Sequence, residues 1–125
     1  MRYFHYEMSK RMESTRFNEA LQKYFPDNDK WGACAYFDSE KNLEFIEINK
    51  LSNVTPKGGA TWTHYATIGF YTSDDADNGK WEVYSQFNGK KENEMWIFGY
   101  YKNFAAAVRR VKNGIENLKP IKIYD

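Results

Sequence analysis

Basic and aromatic side chains come together toward the C-terminal end of the chain, and their types are suited to holding a charged ligand. Lys102, Arg109 and Arg110 supply positive charge, and Tyr100 and Tyr101 supply rings directly before them. Arginine forms bidentate hydrogen bonds with phosphate, and a ring that stacks on a base contributes about 1–3 kcal/mol. Together these residues could bind a nucleotide-like molecule or single-stranded nucleic acid. The arginines could instead stabilise the C-terminal end of a helix dipole without any ligand.

Further side chains in aromatic-rich segments extend this candidate site. His64, in the middle of a predicted strand, could form a hydrogen bond with a ligand, or it could satisfy its polar atoms within its own sheet. Its neighbours Trp62 and Tyr65, and Trp96 further along the chain, could add rings. The predicted ligand-binding residues are therefore Arg109, Arg110, Lys102, Tyr100, Tyr101, Trp96, Trp62, His64 and Tyr65.

Cys34 is the residue that could act as a thiol nucleophile, with His5 or His64 as its base. Its neighbours Ala33 and Ala35 instead indicate a strand of small residues, in which a free cysteine behaves as a small hydrophobe. We therefore expect a structural cysteine and no catalytic residue. A small enzyme with a noncontiguous site near His64 and surrounding tyrosines remains an alternative.

Two short segments have part of the pattern of ion-binding loops. The acidic run Asp74–Gly79 has Ala76 where a calcium loop needs an oxygen ligand, and Ser85 where it needs a bidentate glutamate. The glycine loop Pro56–Thr61 lacks the spacing of a phosphate-binding P-loop. We therefore predict neither a bound metal nor a cofactor.

Composition limits the partners and the location of the protein. The 125-residue chain has 18 basic and 17 acidic residues, and its net charge of +1 gives no general attraction to nucleic acid or to a membrane. A single cysteine excludes an internal disulfide and a cysteine-based zinc site within one chain. The first residues lack the pattern of a signal peptide, and no apolar run approaches the ~18 residues of a membrane span. We expect a cytoplasmic protein that forms one domain over residues 1–125.

Three aromatic-rich segments predict the strands that carry most of the candidate rings. Their β-branched and aromatic residues fit a pleated, half-buried surface, and an Asn-Gly pair in each connection suits the type I′ turn of a hairpin. The segments are Ala60–Thr72, Lys80–Phe87 and Glu94–Tyr101, and the turns are Asn78-Gly79 and Asn88-Gly89. An antiparallel meander is therefore predicted.

Two apolar stripes with helical spacing predict two amphipathic helices. The first helix would have Ser14 or Thr15 as its N-cap and would end at Pro26, and the second would run from Asn103 to an Asn-Gly C-cap. The stripes are Phe17, Ala20, Leu21, Tyr24 and Phe25 in the first helix, and Phe104, Ala107, Val108 and Val111 in the second.

The remaining segments complete a sheet. We predict strands at residues 2–7, 31–37, 43–48 and 121–124, and an irregular connection at residues 49–59. The order β-α-β-β-β-β-β-α-β defines an α+β fold, a two-layer sandwich whose mostly antiparallel sheet of about six or seven strands packs two helices on one face. The other face would carry tyrosine, tryptophan, threonine and glutamine, a composition typical of recognition surfaces.

The sequence favours a non-enzymatic binding protein that uses the aromatic sheet face and the cationic helix end to hold a nucleotide-like or protein ligand. A nucleic-acid-binding module is the alternative, and its affinity would fall steeply with salt. Edge strands and surplus rings also predict self-association as a homodimer. In general character, a short aromatic-rich chain without enzyme motifs resembles the accessory proteins of phages and mobile elements, many of which sequester or block a partner.

Overall fold

The computed structural model describes residues 1–13, 15–71, 80–85, 95–114 and 122–124. Its centre is a seven-stranded sheet whose spatial order is the order of the sequence. The strands are β1 Arg2–Tyr3, β2 Trp31–Phe37, β3 Leu43–Val54, β4 Ala60–Phe70, β5 Trp81–Ser85, β6 Met95–Tyr101 and β7 Lys122–Tyr124. The short β1 pairs in parallel with β2, and the other neighbours are antiparallel. The predicted α+β class and meander are confirmed, while the two Asn-Gly turns lie outside the described residues.

Three helices accompany the sheet: α1 Tyr6–Glu13, α2 Phe17–Tyr24 and α3 Phe104–Lys112. The stripes of α2 and α3 are confirmed, since Leu21 and Val108 are fully buried and Phe17 packs against the core. Asn103 caps α3 as predicted, because its side chain accepts a hydrogen bond from the Ala106 N–H at 2.8 Å. No helix in these described ranges is long and apolar enough to cross a membrane.

Helix α1 is a correction to the predicted strand at residues 2–7. The strand β1 ends at Tyr3, and α1 begins at Tyr6. Met8 and Met12 are one helical turn apart, and the buried Met12 joins the core. The Sδ of Met8 accepts a hydrogen bond from the Ala35 N–H at 2.8 Å, so α1 also covers part of the edge of β2. Six residues with rings on both faces fit a strand pattern without excluding a helix.

The predicted N-cap of the helix that the structure places at α2 is also corrected. Arg16 occupies the cap position of α2, in a helical conformation and without a side-chain cap. Thr15 instead donates its hydroxyl to the Met12 carbonyl at 2.8 Å. Because α1 ends directly before α2, this threonine closes the preceding helix. The alternative cap, Ser14, lies outside the described residues.

The irregular connection predicted at residues 49–59 is largely a regular hairpin arm. Strand β3 continues to Val54 and β4 begins at Ala60, which leaves only residues 55–59 for the turn. Polar side chains sustain the arm, since Ser52 donates its hydroxyl to the Thr61 carbonyl and accepts one from Thr63, both at 2.9 Å. Few apolar residues are needed there because most of the arm is exposed.

Register pairs sort the strand residues onto two faces. The face toward α2 and α3 forms the apolar core, with fully buried side chains at Ile46, Ile48, Ile68, Val83, Leu21, Phe25, Val108 and Val111. We call the opposite side the outer face. Two rows of paired residues cross it, Cys34–Glu47–Thr67–Tyr84 and Tyr36–Phe45–Gly69–Glu82–Tyr100. Each row therefore combines aromatic rings with one carboxylate, Glu47 in the first row and Glu82 in the second.

Candidate functional site

A groove of about 1160 Å³ lies at one end of the sheet, on the helix side. The start of α2, the turn between β2 and β3, the end of β4 and the start of α3 surround it. Its lining residues share an aromatic floor and a polar rim: Thr15, Arg16, Phe17, Glu19, Ala20, Phe37, Asp38, Lys41, Asn42, Leu43, Glu44, Phe70, Lys80, Trp81, Lys102, Asn103, Phe104 and Ala105. The groove exceeds the ~300–1,000 Å³ of common small-molecule sites, so a nucleotide-sized ligand would fit with water beside it.

Trp81 organises the aromatic floor of the groove. Its ring centroid lies 5.5 Å from Phe17, 5.2 Å from Phe70 and 5.0 Å from Phe104, and all three contacts are edge-to-face. Trp81 itself is 7% exposed, whereas Phe70, its partner in the β4–β5 register, is 46% exposed. Edge-to-face packing holds these rings in fixed orientations. Phe70 can therefore offer exposed ring surface to a ligand while its neighbours keep it in place.

Four exposed cations stand on the rim of the groove: Arg16, Lys41, Lys80 and Lys102. Within the described ranges, none of the four forms an ion pair. A backbone hydrogen bond from the Lys80 N–H to the Tyr101 carbonyl at 2.9 Å places Lys80 beside the segment that carries Lys102. This pair therefore comes together through the β5–β6 pairing rather than through sequence proximity.

Carboxylates moderate the charge of the rim. Glu19, Asp38 and Glu44 also line the groove, so the cations exceed them by one (four against three). The Oδ1 of Asp38 accepts hydrogen bonds from the N–H groups of Glu40 and Asn42, both at 2.9 Å, and so holds the β2–β3 turn. The N-terminus of α3 opens on the groove and adds the positive end of a helix dipole. The rim thus favours an anion modestly.

Of the predicted ligand-binding residues, Lys102 is the one that lines this groove. Arg109 and Arg110 lie at the other end of α3, roughly 10 Å further along the helix axis. Arg110 interacts with Tyr101, where burial raises the pKa of the phenol and the nearby guanidinium partly opposes that rise. Arg109 is exposed in the last turn of α3. Both arginines therefore lie where they could stabilise the C-terminal end of the α3 dipole, the alternative to ligand binding given above.

The predicted rings on the helix side serve the core. Tyr65 is buried, with its ring centroid 5.3 Å from that of Trp31. Trp96 is half-buried against the core, and its buried Nε1 has no hydrogen-bond partner among the residues that the structure describes.

The other predicted residues lie on the outer face. The Nε2 of His64 and the Oγ1 of Thr67 are 2.8 Å apart, and burial lowers the pKa of the histidine although Glu47 acts in the opposite direction. Trp62 packs edge-on against Phe4 at 5.0 Å, and Tyr100 lies 5.0 Å from Tyr71. The nine predicted residues are thus divided between both sides of the sheet, and one small ligand would not contact them all. Their individual binding roles stay predictions.

Most residues of the groove escaped the sequence-based prediction. Arg16, Lys41 and Lys80 are isolated in the sequence, and Phe70 is one of many rings in a strand. The one available signal was their position, because each lies at the boundary of a predicted element at the same end of the sheet. Assigning that end requires the strand register, which the sequence does not state.

The fold and the groove define a class in structural terms only, a two-layer α+β protein with an aromatic, cation-rimmed groove beside its helices. No protein-family model, curated protein or solved structure matches the chain. What the groove can bind must therefore be inferred from its own side chains.

Proposed function

We propose that this chain is a non-enzymatic binding protein that sequesters an anionic, ring-bearing small molecule of the nucleotide class in the groove. The proposal rests on one observation. The exposed ring of Phe70, held in place by its neighbours, lines the same groove as four cations that form no ion pair in the described part of the chain. Rings bind the planar part of such a ligand, and cations bind its phosphates.

The arrangement of the groove suggests an orientation for the ligand. A base would stack on the exposed surface of Phe70, above the edge of Trp81. Lys80 and Lys102, beside the N-terminus of α3, would then face the phosphates, because ammonium groups and helix N-termini both favour negative charge. Arg16, at the start of α2, could add a bidentate contact that a lysine cannot reproduce.

The residue types of the lining favour binding over catalysis. Within the described ranges, the groove contains neither histidine nor cysteine, the side chains that most readily supply a base or a thiolate near neutral pH. Rings and cations instead supply recognition. A protein that holds a nucleotide without converting it would act by lowering the concentration of the unbound nucleotide.

Isothermal titration calorimetry with ATP, GTP and inorganic triphosphate tests the proposal. The double variant Lys80→Ala/Lys102→Ala should weaken ATP binding about tenfold, since each exposed charge contact contributes up to about 1 kcal/mol. Arg109→Ala/Arg110→Ala is the matched control, because it removes the same charge from the other end of α3. Equal weakening by both doubles would place the ligand elsewhere or reduce the effect to net charge.

The ring contribution has its own readout. Phe70→Ala should remove the preference for ATP over inorganic triphosphate, because triphosphate has no base to stack. Circular dichroism would confirm that this variant remains folded. The groove assignment fails if the preference survives the loss of Phe70, or if none of the three ligands binds at millimolar concentration. Binding of a single-stranded oligonucleotide with a steep salt dependence would instead favour the nucleic-acid alternative.

A further inference from the structure

The outer face of the sheet carries a second, smaller cavity with a different chemistry from the groove. This pocket of about 210 Å³ is too small for a whole nucleotide, but it could receive one side chain. Its lining residues combine rings with carboxylates: Glu44, Phe45, Gly69, Phe70, Tyr71, Glu82 and Tyr84. Among the residues that the structure describes, no lysine, arginine or histidine lines this pocket.

Gly69 forms the floor of this pocket, next to the ring of Tyr84. A Cβ built on this residue would lie 3.2 Å from the Cε1 of Tyr84 and 3.7 Å from the Cβ of Phe45. The absence of a side chain at Gly69 therefore lets the Tyr84 ring lie close against the sheet. Alanine at this position would narrow the pocket, and the backbone would accept it because the residue lies in a regular strand.

The rings around the pocket continue across the outer face. Tyr36, which is 42% exposed, stacks on Phe45 with centroids 4.3 Å apart and planes inclined by 20°. Tyr71 and Tyr100 form a second pair at 5.0 Å. Tyrosine rings with exposed surface are typical of protein recognition patches, in which the ring faces also attract cations.

Negative charge is concentrated on the same face. Glu47 lies between Cys34 and Thr67 in the register row. It is the main cause of the raised pKa of the exposed Tyr36, and it adds to burial in raising the pKa of Cys34. Burial, followed by the charges of Glu82, Glu47 and Glu44, raises the pKa of Tyr84 to about 12. The contributions of the carboxylates to these pKa shifts, as distinct from burial, reflect the negative charge above the sheet.

We propose that the outer face is a docking surface for a basic segment of a partner protein, with one lysine or arginine side chain of that segment in the Gly69 pocket. Charge complementarity selects this occupant, since carboxylates attract the cationic group and ring faces bind it through cation–π contacts. An extended basic segment would also match the flat row of rings. This docking surface is a different site from the groove, although Glu44 and Phe70 line both cavities.

Fluorescence anisotropy with a labelled peptide of alternating lysine and serine provides the test. Glu47→Gln should weaken binding about threefold, because it removes one carboxylate that faces the peptide. Glu19→Gln is the matched control, since it removes the same charge from the groove side and should leave the affinity unchanged. Gly69→Ala should weaken binding without any change in charge, through the closer contact with Tyr84.

Several results would overturn the docking surface. Equal effects of Glu47→Gln and Glu19→Gln would reduce the attraction to net charge. A labelled peptide of alternating glutamate and serine that binds as well as the basic peptide would remove the charge argument. Light scattering that shows a dimer disrupted by Glu47→Gln, in a protein that does not bind the basic peptide, would assign the face to a second copy of this chain. Lys80→Ala/Lys102→Ala should not weaken peptide binding, so failure of the groove and failure of this surface are distinguishable.

Discussion

Phe104 tests whether the aromatic cluster that forms the groove floor is part of the folding core. Its ring is buried at the start of α3, with centroids 4.9 Å from Phe17 and 5.0 Å from Trp81. Truncation of a buried phenylalanine to alanine costs about 3–5 kcal/mol. Because small proteins unfold with only about 5–15 kcal/mol, Phe104→Ala should remove a large part of the stability.

A second substitution separates the ring contacts from apolar burial. Phe104→Leu retains most of the apolar volume but loses two edge-to-face pairs, each of which contributes about 0.5–1.5 kcal/mol. We therefore expect Phe104→Leu to lower the free energy of unfolding by about 1–3 kcal/mol, less than Phe104→Ala does. Arg109→Ala, on the exposed side of the same helix, should stay within about 0.5 kcal/mol of the parent.

Urea unfolding followed by tryptophan fluorescence measures both values. With a slope of roughly 1–3 kcal/mol per molar urea, a loss of about 4 kcal/mol moves the midpoint by one molar or more. The slope must stay constant for the comparison to hold. If Phe104→Ala lost less than about 1 kcal/mol at an unchanged slope, the ring would lie outside the cooperative core. The described position of α3 against Trp81 would then be wrong.

The remaining predictions concern the thiol, the histidine, a shared carboxylate and the oligomeric state. Cys34 should react slowly with iodoacetamide near neutral pH, because burial and then Glu47 raise the pKa of its thiol; rapid alkylation would contradict this. Because burial lowers the pKa of folded His64 below its unfolded value of 6.5, the unfolded chain binds more protons below that pH, so stability should decline on acidification through this window. His64→Gln should flatten the decline seen by urea unfolding at a series of pH values. Glu44 lines both cavities, so Glu44→Gln should strengthen ATP binding while it weakens binding of the basic peptide; a shift of both in one direction would refute the opposite polarity of the two surfaces. The predicted homodimer should appear in light scattering at high protein concentration, and a constant mass of 14.8 kDa would exclude it.

Apolar spacing in the sequence correctly predicted the elements that bury only one of their faces. The stripe from Phe104 to Val111 has a single apolar face, a side-chain cap at Asn103 and a left-handed Gly114 at its end, so sequence and structure agree there. Helix α1 lacks such a face, since Met8 and Met12 are its described contacts with the core. The hairpin arm near Ser52 depends on side-chain hydrogen bonds to the neighbouring strand. The residue pattern of a single strand does not reveal such partners.

The faces of individual rings could not be predicted because register shifts interrupt the alternation in the β2–β3, β3–β4 and β5–β6 pairs. In β4, Ala66 pairs with Ile48 and His64 with Asn49, so Tyr65 is skipped in the register and its ring reaches Trp31 on the helix side. Strict alternation would have placed Tyr65 on the face opposite its neighbours. A one-residue shift reverses the side on which every following residue lies, and a bulge leaves little trace in composition. The residues predicted as one site therefore lie on both faces of the sheet, and their binding roles stay predictions.

The net charge of the chain also gives no indication of how charged side chains are distributed between the two faces of the sheet. In β3, Glu47 belongs to the outer face, whereas Lys50 lies on the helix side with its Nζ 5.8 Å from the centroid of Trp31. Both charges contribute to a total of only +1, yet the sheet separates them because residues an odd number of positions apart point to opposite faces. The same geometry leaves a cation-rimmed groove on one side and rings among carboxylates on the other. A near-neutral composition is therefore compatible with two binding surfaces of opposite polarity, and it argues only against a ligand that must cover the whole protein, such as an extended nucleic acid.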